Sequence, residues 1–394
     1  MIARRRLGLS LMAGSLLALP GVAYAQEDVQ LTAEAAANIG YSSNPFSETG
    51  GDTGSAVADV RLSPEARLVR EHSVFVLSGT VQYQKYFSHY SDADNYNGRF
   101  DYRGTPSDHI RTHFDVTYDN SIVGQNSLFE RSLDPTLPPP VSGSDLSLFG
   151  TRDRRQTFRT DGDVSFTLSE RDTLSTSVYY MRSRYDKFGL LGDYDGYGAT
   201  ANYSRQVNAH LQLGLQTSLS KYDYKGPQGD STIYSVRPSI TTDLGPRWKL
   251  DGSLGVSFVD DKLRGTSSTL SGDANLCRTA ERATMCVRAS RSVVPTGVSG
   301  TQTETSVGAN YSYKLDEFSS INASADYVRN GSSQVFITGG NEYVRTSVAY
   351  DRRLNERWRL AASTRYSDVY GLGGNRSADW GGQVGVVMTF GDKK

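Results

Sequence analysis

Histidine and carboxylate side chains are the residues of this sequence whose spacing could support acid–base chemistry. His113 and Asp115 stand two residues apart, so on a β-strand both would point to the same face. His89 precedes two aspartates, and a hydrolase of the membrane-barrel type would place such groups at its external rim. None of the five histidines has the spacing of metal ligands; the others are His72, His109 and His210. We therefore expect no enzymatic activity, no metal and no cofactor.

Charged residues alternate with apolar ones in the segment around His113. Arg111 and Asp115 interleave with Ile110 and Phe114, which predicts a strand with one polar and one apolar face. Several such segments extend over about 10 to 15 residues, long enough to cross a bilayer at a tilt. A soluble β-sandwich also alternates, but its strands are nearer 5 or 6 residues long.

The connections between these predicted strands are short and long in turn. That asymmetry is typical of an outer-membrane barrel, with short periplasmic turns and longer external loops. The pattern predicts an all-β, transmembrane, antiparallel up-and-down β-barrel of about 16 strands. The two longest connections, 121–153 and 260–302, could each hide a further hairpin, so about 18 strands is the alternative.

The N-terminus resembles a secretory signal peptide. Three arginines at positions 4–6 precede an apolar stretch at 7–19 and a small-x-small cleavage site at 23–25. The sequence thus predicts a signal peptide over 1–25, cleaved after export through the Sec route, and a barrel over 26–394 in the Gram-negative outer membrane. The net charge of −1 gives no bulk attraction towards nucleic acid.

The polar strand faces would line a lumen if the apolar faces meet lipid. Both signs of charge occur there, which suits a neutral or weakly anionic polymer or small polar solutes. Alternatively, the charges pair across the wall and brace the barrel. The candidate lumen residues are Arg99, Asp101, Arg111, Asp115, Arg159, Asp161, Arg237, Arg345, Arg359 and Arg365.

The two longest connections carry further hypotheses. A proline-rich stretch at 134–140 is stiff and extended, so connection 121–153 either folds into the pore as a constriction or projects outside. Connection 260–302 holds Cys277 and Cys286, which in an exported protein would form a local disulfide; two free thiols are the alternative. Its basic residues would attract an acidic polysaccharide or lie near lipopolysaccharide phosphates; they are Arg264, Arg278, Arg282, Arg288 and Arg291.

The last predicted strand ends the chain with an alternating apolar face. Gln383, Gly385, Met388 and Phe390 resemble the C-terminal signal by which the barrel-assembly machinery recognises outer-membrane barrels. Four residues follow the aromatic residue that usually ends such chains. We expect this strand to pair with the first one and so close the barrel.

Residues 35–46, Ala-Ala-Ala-Asn-Ile-Gly-Tyr-Ser-Ser-Asn-Pro-Phe, resemble a recurrent opening in one family. With the layout above, residues 29–390 are similar to outer-membrane barrels of the β-barrel porin 2 type, which are associated with exopolysaccharide gene clusters. The resemblance implies an outer-membrane conduit for polysaccharide export, with periplasmic export proteins as partners. The alternative is a general diffusion porin or uptake channel for small polar solutes. Outer-membrane lipid and lipopolysaccharide are the expected surroundings.

Overall fold

Eighteen antiparallel β-strands close on themselves into a barrel. The computed structural model describes residues 28–125, 143–187, 192–297, 300–331, 340–371 and 376–391. The predicted signal peptide, the proline-rich stretch 134–140 and residues 392–394 lie outside the described residues. The strands are β1 Asp28–Ser42, β2 Ser55–Arg70, β3 Ser73–Tyr86, β4 Ala93–Ser107, β5 Ile110–Ile122, β6 Arg154–Thr167, β7 Asp172–Tyr185, β8 Tyr194–Asn208, β9 Leu211–Tyr224, β10 Ser231–Asp243, β11 Trp248–Asp261, β12 Gly265–Thr279, β13 Ala283–Thr296, β14 Gly300–Lys314, β15 Ser319–Asn330, β16 Asn341–Arg353, β17 Trp358–Tyr370 and β18 Asp379–Phe390.

The seam of the barrel joins the last strand to the first. The β18–β1 register runs from Phe390 opposite Ala33 to Gly381 opposite Ser42, and β1 pairs on its other side with β2. This pairing removes both sheet edges, whose bare backbone groups a bilayer would not tolerate. The predicted closing strand and the predicted fold class are both confirmed.

The strand count of 16 is wrong, and the alternative of 18 is correct. The two missed strands, β12 and β13, form a hairpin inside the segment that the sequence analysis treated as connection 260–302. Two of the lipid-facing positions of β12 are Gly272 and Ala274, so its apolar alternation is weak. The connection from β11 to β12 spans only 262–264, which breaks the alternation of short and long connections.

An apolar belt covers the outside of the barrel. Ile39, Val178 and Leu254 are 60–62% exposed although they are aliphatic, which is the arrangement expected where lipid replaces water. Trp358 follows a short turn directly, and Trp380 lies near the opposite end of its strand. Both indole rings point outwards and lie where an aromatic girdle meets the headgroups.

The two ends of the barrel differ in their connections. The turns that join β2 to β3 and β4 to β5 span only 71–72 and 108–109, and β1 begins and β18 ends at this end. By the usual asymmetry of these barrels, this end is periplasmic and the end with loops such as 43–54 and 123–153 is external. A search of the described residues for a helix with the length and apolar character of a membrane span finds none.

Candidate functional site

The predicted lumen residues lie on the inner face of the wall. In each strand they alternate with side chains of the outer belt, such as Phe114 and Phe158, which are 42% and 38% exposed. Six strands carry them: β4 holds Arg99 and Asp101, β5 Arg111 and Asp115, β6 Arg159 and Asp161, β10 Arg237, β16 Arg345, and β17 Arg359 and Arg365. Their part in transport stays a prediction.

Ion pairs connect side chains on the inner face of β4, β5 and β6. The Arg99 guanidinium lies 2.6 Å from the Asp115 carboxylate and 3.2 Å from that of Asp101. Arg159 binds Asp161 through two parallel hydrogen bonds of 2.6 Å. The Arg99 and Arg159 side chains are 50% and 43% exposed, so these pairs face water in the lumen.

His113 completes this network, with partners that sequence spacing did not identify. Its Nε2 lies 2.9 Å from Asp101 and its Nδ1 2.8 Å from Asp163, whereas Asp115 pairs with Arg99 instead. The imidazole thus bridges two carboxylates, one on β4 and one on β6. This position makes His113 part of the polar network of the wall.

Most of the other candidates are also paired within the wall. Arg237 lies 3.3 Å from Asp273, and Arg359 lies 3.3 Å from Asp351. Arg365 forms a buried ion pair with Asp379, and Arg345 is only 5% exposed. The positions of these side chains therefore fit the alternative in which the lumen charges pair with one another and brace the wall.

Arg111 is different from the rest of the set. Its side chain is exposed to the lumen and forms no ion pair with any residue that the structure describes. A guanidinium in this state can attract an anion that moves through the lumen.

The inner face of β7, β8 and β9 carries no charge in the described chain. Serine, threonine, glutamine and tyrosine line it, among them Ser177, Tyr179, Thr200, Gln212 and Gln216. The Tyr179 and Tyr222 hydroxyls are 2.9 Å apart, which links two of these strands. The lumen thus has one charged side, centred on the seam, and one neutral, hydrogen-bonding side.

The periplasmic end of the lumen holds a cavity of about 810 Å³. Lys314, Asp351, Arg353 and Arg359 line it together with Asn322. Charged side chains around water-filled space are typical of the vestibule of a polar channel.

Part of connection 121–153 lies inside the external end of the lumen. Leu146 and Leu148 of the 3₁₀ helix are at most 1% exposed, and Phe149 follows them. They share one buried cluster with inner side chains of β7–β11 and β15–β17: Tyr185, Tyr194, Tyr222, Tyr224, Ile233, Val259, Val328, Tyr343 and Val369. Asp145 bonds to the Tyr185 hydroxyl of β7 and Phe149 contacts the Tyr343 ring of β16, so the segment extends across the lumen. We call residues 143–149 the plug.

A buried carboxylate anchors the plug. Asp145 is 2% exposed; it accepts hydrogen bonds from Arg155 at 2.8 Å, from the Tyr185 hydroxyl at 2.7 Å and from the backbone N–H of Gly297 at 3.0 Å. The three donors come from β6, from β7 and from the chain just after β13. A buried charge with this many donors is strongly held, because losing a partner leaves it desolvated.

The loop from β1 to β2 packs beside the plug at the external mouth. Phe46 is fully buried and contacts Tyr86 and Tyr90, while the Arg152 guanidinium lies 4.7 Å from the Phe46 ring centre. Burial raises the pKa of Tyr90 to about 12, so its hydroxyl stays neutral at physiological pH. Arg376 donates to backbone carbonyls of this loop and, at 3.0 Å, of Phe149, which joins the loop to the plug.

The residues found across the lumen belong to connection 121–153, but the predicted proline-rich stretch 134–140 lies outside the described residues, so a constriction formed by it stays a prediction. Asp145, Leu146, Leu148 and Phe149 were missed. Their signal in the sequence is a short apolar cluster, Leu-Ser-Leu-Phe, inside an otherwise polar connection. The burial of Phe46 had no such signal.

The cysteines form a disulfide, but it lies in a pair of strands and not in the predicted long connection. Cys277 on β12 and Cys286 on β13 face each other across the ladder, with their Sγ atoms 2.10 Å apart. They lie beside the periplasmic turn 280–282, because the segment is a hairpin rather than a loop. For the same reason the prediction that these arginines form one basic loop is wrong. Arg278 and Arg282 lie at the periplasmic end, while Arg288 faces the lumen.

The C-terminal motif occupies the seam. Gln383 and Gly385 point inwards, whereas Met388 and Phe390 point outwards. A Cβ at Gly385 would overlap the Asn38 side chain, whose amide donates to Asp59 across the barrel's first hairpin at 2.9 Å. Glycine is therefore needed for close packing at this position, and recognition by the assembly machinery stays a prediction.

Comparisons with known proteins identify the fold. No family model matches the chain, and no curated protein matches it. Among solved structures, OccK2 (OpdF) of Pseudomonas aeruginosa has a TM-score of 0.50 at 10% identity, covering 92% of this chain and 98% of its own. OccAB3 of Acinetobacter baumannii has a TM-score of 0.47 at 7% identity, covering 92% of this chain and 100% of its own.

The siderophore receptor PirA of P. aeruginosa is also similar, with a TM-score of 0.45, 10% identity and coverage of 91% of this chain and 80% of its own. Identities this low establish shared architecture and nothing finer. A closed, even-stranded antiparallel barrel with an apolar belt belongs in a bacterial outer membrane. The chain is an outer-membrane β-barrel with the fold of OccK2.

Proposed function

We propose that this protein is an outer-membrane channel for small polar solutes, closed at rest by the plug. The observation that carries the proposal is a lumen with exposed charged side chains and an apolar plug across its external end. Charged side chains such as Arg103 and Arg111 are open to the lumen, whereas the plug leucines are at most 1% exposed. A polar solute needs a continuous water-filled path through the barrel, so solute entry requires the plug to move.

The charged lining favours solutes that carry hydrogen-bonding or ionic groups. Arg111 offers an attraction for anions, while the neutral wall of β7–β9 offers hydroxyl and amide groups for hydrogen bonds. Solute uptake of this kind is the alternative from the sequence analysis, and the fold shared with OccK2, which has also been crystallised in complex with glucuronate, is compatible with it.

Liposome swelling tests this proposal. Proteoliposomes with the purified barrel would be diluted into isotonic solutions of a neutral sugar, glucuronate or an amino acid. We expect the Asp145→Ala variant to admit these solutes faster than the wild-type protein. If neither protein admits any of them while a control porin does, the channel proposal fails.

Export of a secreted polysaccharide, the function implied by the family resemblance, is the second candidate. The mixed-sign lumen and its neutral wall suit a polar polymer, but a polymer in transit would need the plug displaced throughout. A deletion strain separates the two candidates. Loss of surface polymer with unchanged small-solute uptake would favour export, and the opposite pattern would favour the channel.

A further inference from the structure

The outer surface of β7, β8 and β9 carries a group of cations at the external end of the barrel. Arg182 and Arg184 share the outward face of β7 with Val178, which is 62% exposed. Lys221 shares the outward face of β9 with Leu219, which is 44% exposed, and Lys225 follows that strand. These positively charged side chains lie just beyond the apolar belt, at the level where the headgroups of the outer leaflet begin.

Two aspartates hold the cations close together. Asp195 lies 3.1 Å from Arg182 and 3.2 Å from Lys225, so both cations contact one carboxylate. Asp223 lies 2.9 Å from Lys221. Shared partners fix the directions of long side chains that would otherwise be mobile, which lowers the entropy cost of binding a further group.

Tyrosine side chains lie between this group of cations and the apolar belt. The Tyr180 and Tyr197 hydroxyls each donate a hydrogen bond of 3.3 Å, to Asp195 and Asp223 respectively. The Lys221 ammonium lies 5.5 Å from the Tyr197 ring centre. Rings with one apolar face and one polar tip are suited to the boundary between acyl chains and headgroups.

The aspartates leave hydrogen-bond donors of three cations available to a further ligand. Arg184 is committed to the fold, because it contacts Asp193 at 3.4 Å and Asp195 at 3.1 Å and donates to the Tyr194 carbonyl at 3.0 Å. The side chains of Arg182, Lys221 and Lys225 are 54%, 41% and 44% exposed. Each presents further N–H groups, since a guanidinium has five donors and an ammonium three.

In the other outward ion pairs of the described external edge, each carboxylate contacts one cation. Arg154 pairs with Asp94, Lys262 with Asp230, and Arg329 with Glu342. Arg291 donates to the Thr305 hydroxyl, and Lys85 is exposed on β3. The concentration of cations on β7–β9 is therefore local, not a property of the whole rim.

We propose that the outer face of β7–β9 binds the phosphate group of an acylated, phosphorylated glycolipid in the outer leaflet. Arg182, Lys221 and Lys225 bind the phosphate oxygens through charge-assisted hydrogen bonds, which arginine and lysine form well. The acyl chains of the same molecule lie on the adjacent belt, on side chains such as Val178 and Leu219. Charge and location together select a lipid over a soluble anion.

Titration of the purified barrel with bis-phosphorylated lipid A, followed by native mass spectrometry, tests this site. The test variant is Arg182→Gln, Lys221→Gln and Lys225→Gln, and the control replaces Lys85, Arg291 and Arg329 with glutamine. Each basic side chain near an anionic lipid contributes about fivefold in affinity, so the test variant should bind roughly a hundredfold more weakly. The control should bind like the wild-type protein, and heat-modifiable mobility on gels shows whether each variant is folded.

Two further probes assign the source of the phosphate. Lipid A stripped of both phosphates should bind the wild-type protein as weakly as intact lipid A binds the test variant. Equal binding of stripped and intact lipid A, or of the test variant and the wild-type protein, would overturn the proposal. Inorganic phosphate that binds as tightly as lipid A would make this a soluble-anion site and would also overturn it.

Discussion

The external mouth and the periplasmic side of the lumen are built from different chemistry. Aromatic and aliphatic side chains form a buried cluster in the mouth, and the Asp145 carboxylate of its ion pair with Arg155 is buried with them. On the periplasmic side, charged side chains stand in water around a cavity of about 810 Å³. Ion pairs occur in both regions, and Arg365–Asp379 and Arg155–Asp145, with side chains at most 23% exposed, lie in or near the mouth.

This difference separates two tasks that one pore must perform. Buried pairs are costly to break, so the mouth is held in one arrangement until a large change displaces the plug. Exposed pairs contribute little to stability, so the charges of the lower lumen can exchange partners with a passing solute. We infer that closure depends on the mouth and charge preference on the lumen below it.

Replacing a buried arginine near the mouth should have the largest effect on stability. Arg365 and Asp379 are 3% and 1% exposed, and Asp379 also binds Ser42 at 2.6 Å. Arg365→Ser should cost about 3–5 kcal/mol, because it leaves a buried carboxylate without its cation. Arg103→Ser, at a side chain that is 69% exposed, should cost less than about 1 kcal/mol. Urea unfolding midpoints measure both variants. Equal losses of stability would contradict the distinction between buried and exposed ion pairs.

Releasing the plug should have the next largest effect, on gating and not on stability of the wall. Asp145→Ala removes the acceptor shared by Arg155, Tyr185 and Gly297. A loss of about 3–5 kcal/mol in plug binding corresponds to more than roughly a hundredfold rise in the open-to-closed ratio. Planar-bilayer recordings measure this ratio.

The matched control for the plug is Asp94→Ala. Asp94 also pairs with an arginine, Arg154, at 3.1 Å, but its side chain is 61% exposed. We expect this variant to gate like the wild-type protein. An increase in channel opening as large as that of Asp145→Ala would mean that any external charge affects closure.

Arg111→Ser should change ion preference by a smaller amount. The side chain is exposed in the lumen, so removing its charge should shift the anion-to-cation permeability ratio roughly two- to fivefold towards cations, the effect of about 0.5–1 kcal/mol. Arg352→Ser removes the same charge from the outer surface and should leave the ratio unchanged. Reversal potentials in a salt gradient give the ratio, and an unshifted value would place Arg111 outside the conducting path.

Removing the disulfide should have the smallest effect on function. The bridge closes a loop with a sequence separation of 9, so Cys277→Ser with Cys286→Ser should cost at most about 2–3 kcal/mol. Because the pair lies beside a periplasmic turn, far from the plug, neither opening nor ion preference should change. Bilayer recordings on the variant check this, and a change in gating would connect the two ends of the barrel.

The outer surface could be predicted from the sequence because lipid imposes a strict rule on it. Ile110 and Phe114 must face outwards, so Arg111 and Asp115 must face inwards, and the structure has them there. The rule weakens where outward positions hold Gly272 and Ala274, which is why two strands were missed.

The inner contacts could not be predicted, because they depend on register and on connections between distant parts of the chain. His113 was assigned to Asp115 by spacing, whereas strand pairing brings it to Asp101 and Asp163. Asp145 meets Gly297 across 152 positions of sequence, which no local pattern encodes. Periodicity therefore predicts the strands of the wall, whereas the contacts in the mouth depend on how distant segments come together in three dimensions.

Parallel recordings of Asp145→Ala and Arg111→Ser in one salt gradient test the central claim most directly. If closure and charge preference are separate, Asp145→Ala raises the open fraction with an unchanged reversal potential, and Arg111→Ser shifts the reversal potential with an unchanged open fraction. A plug variant that shifts the reversal potential as far as Arg111→Ser, with no change in open fraction, would contradict the account.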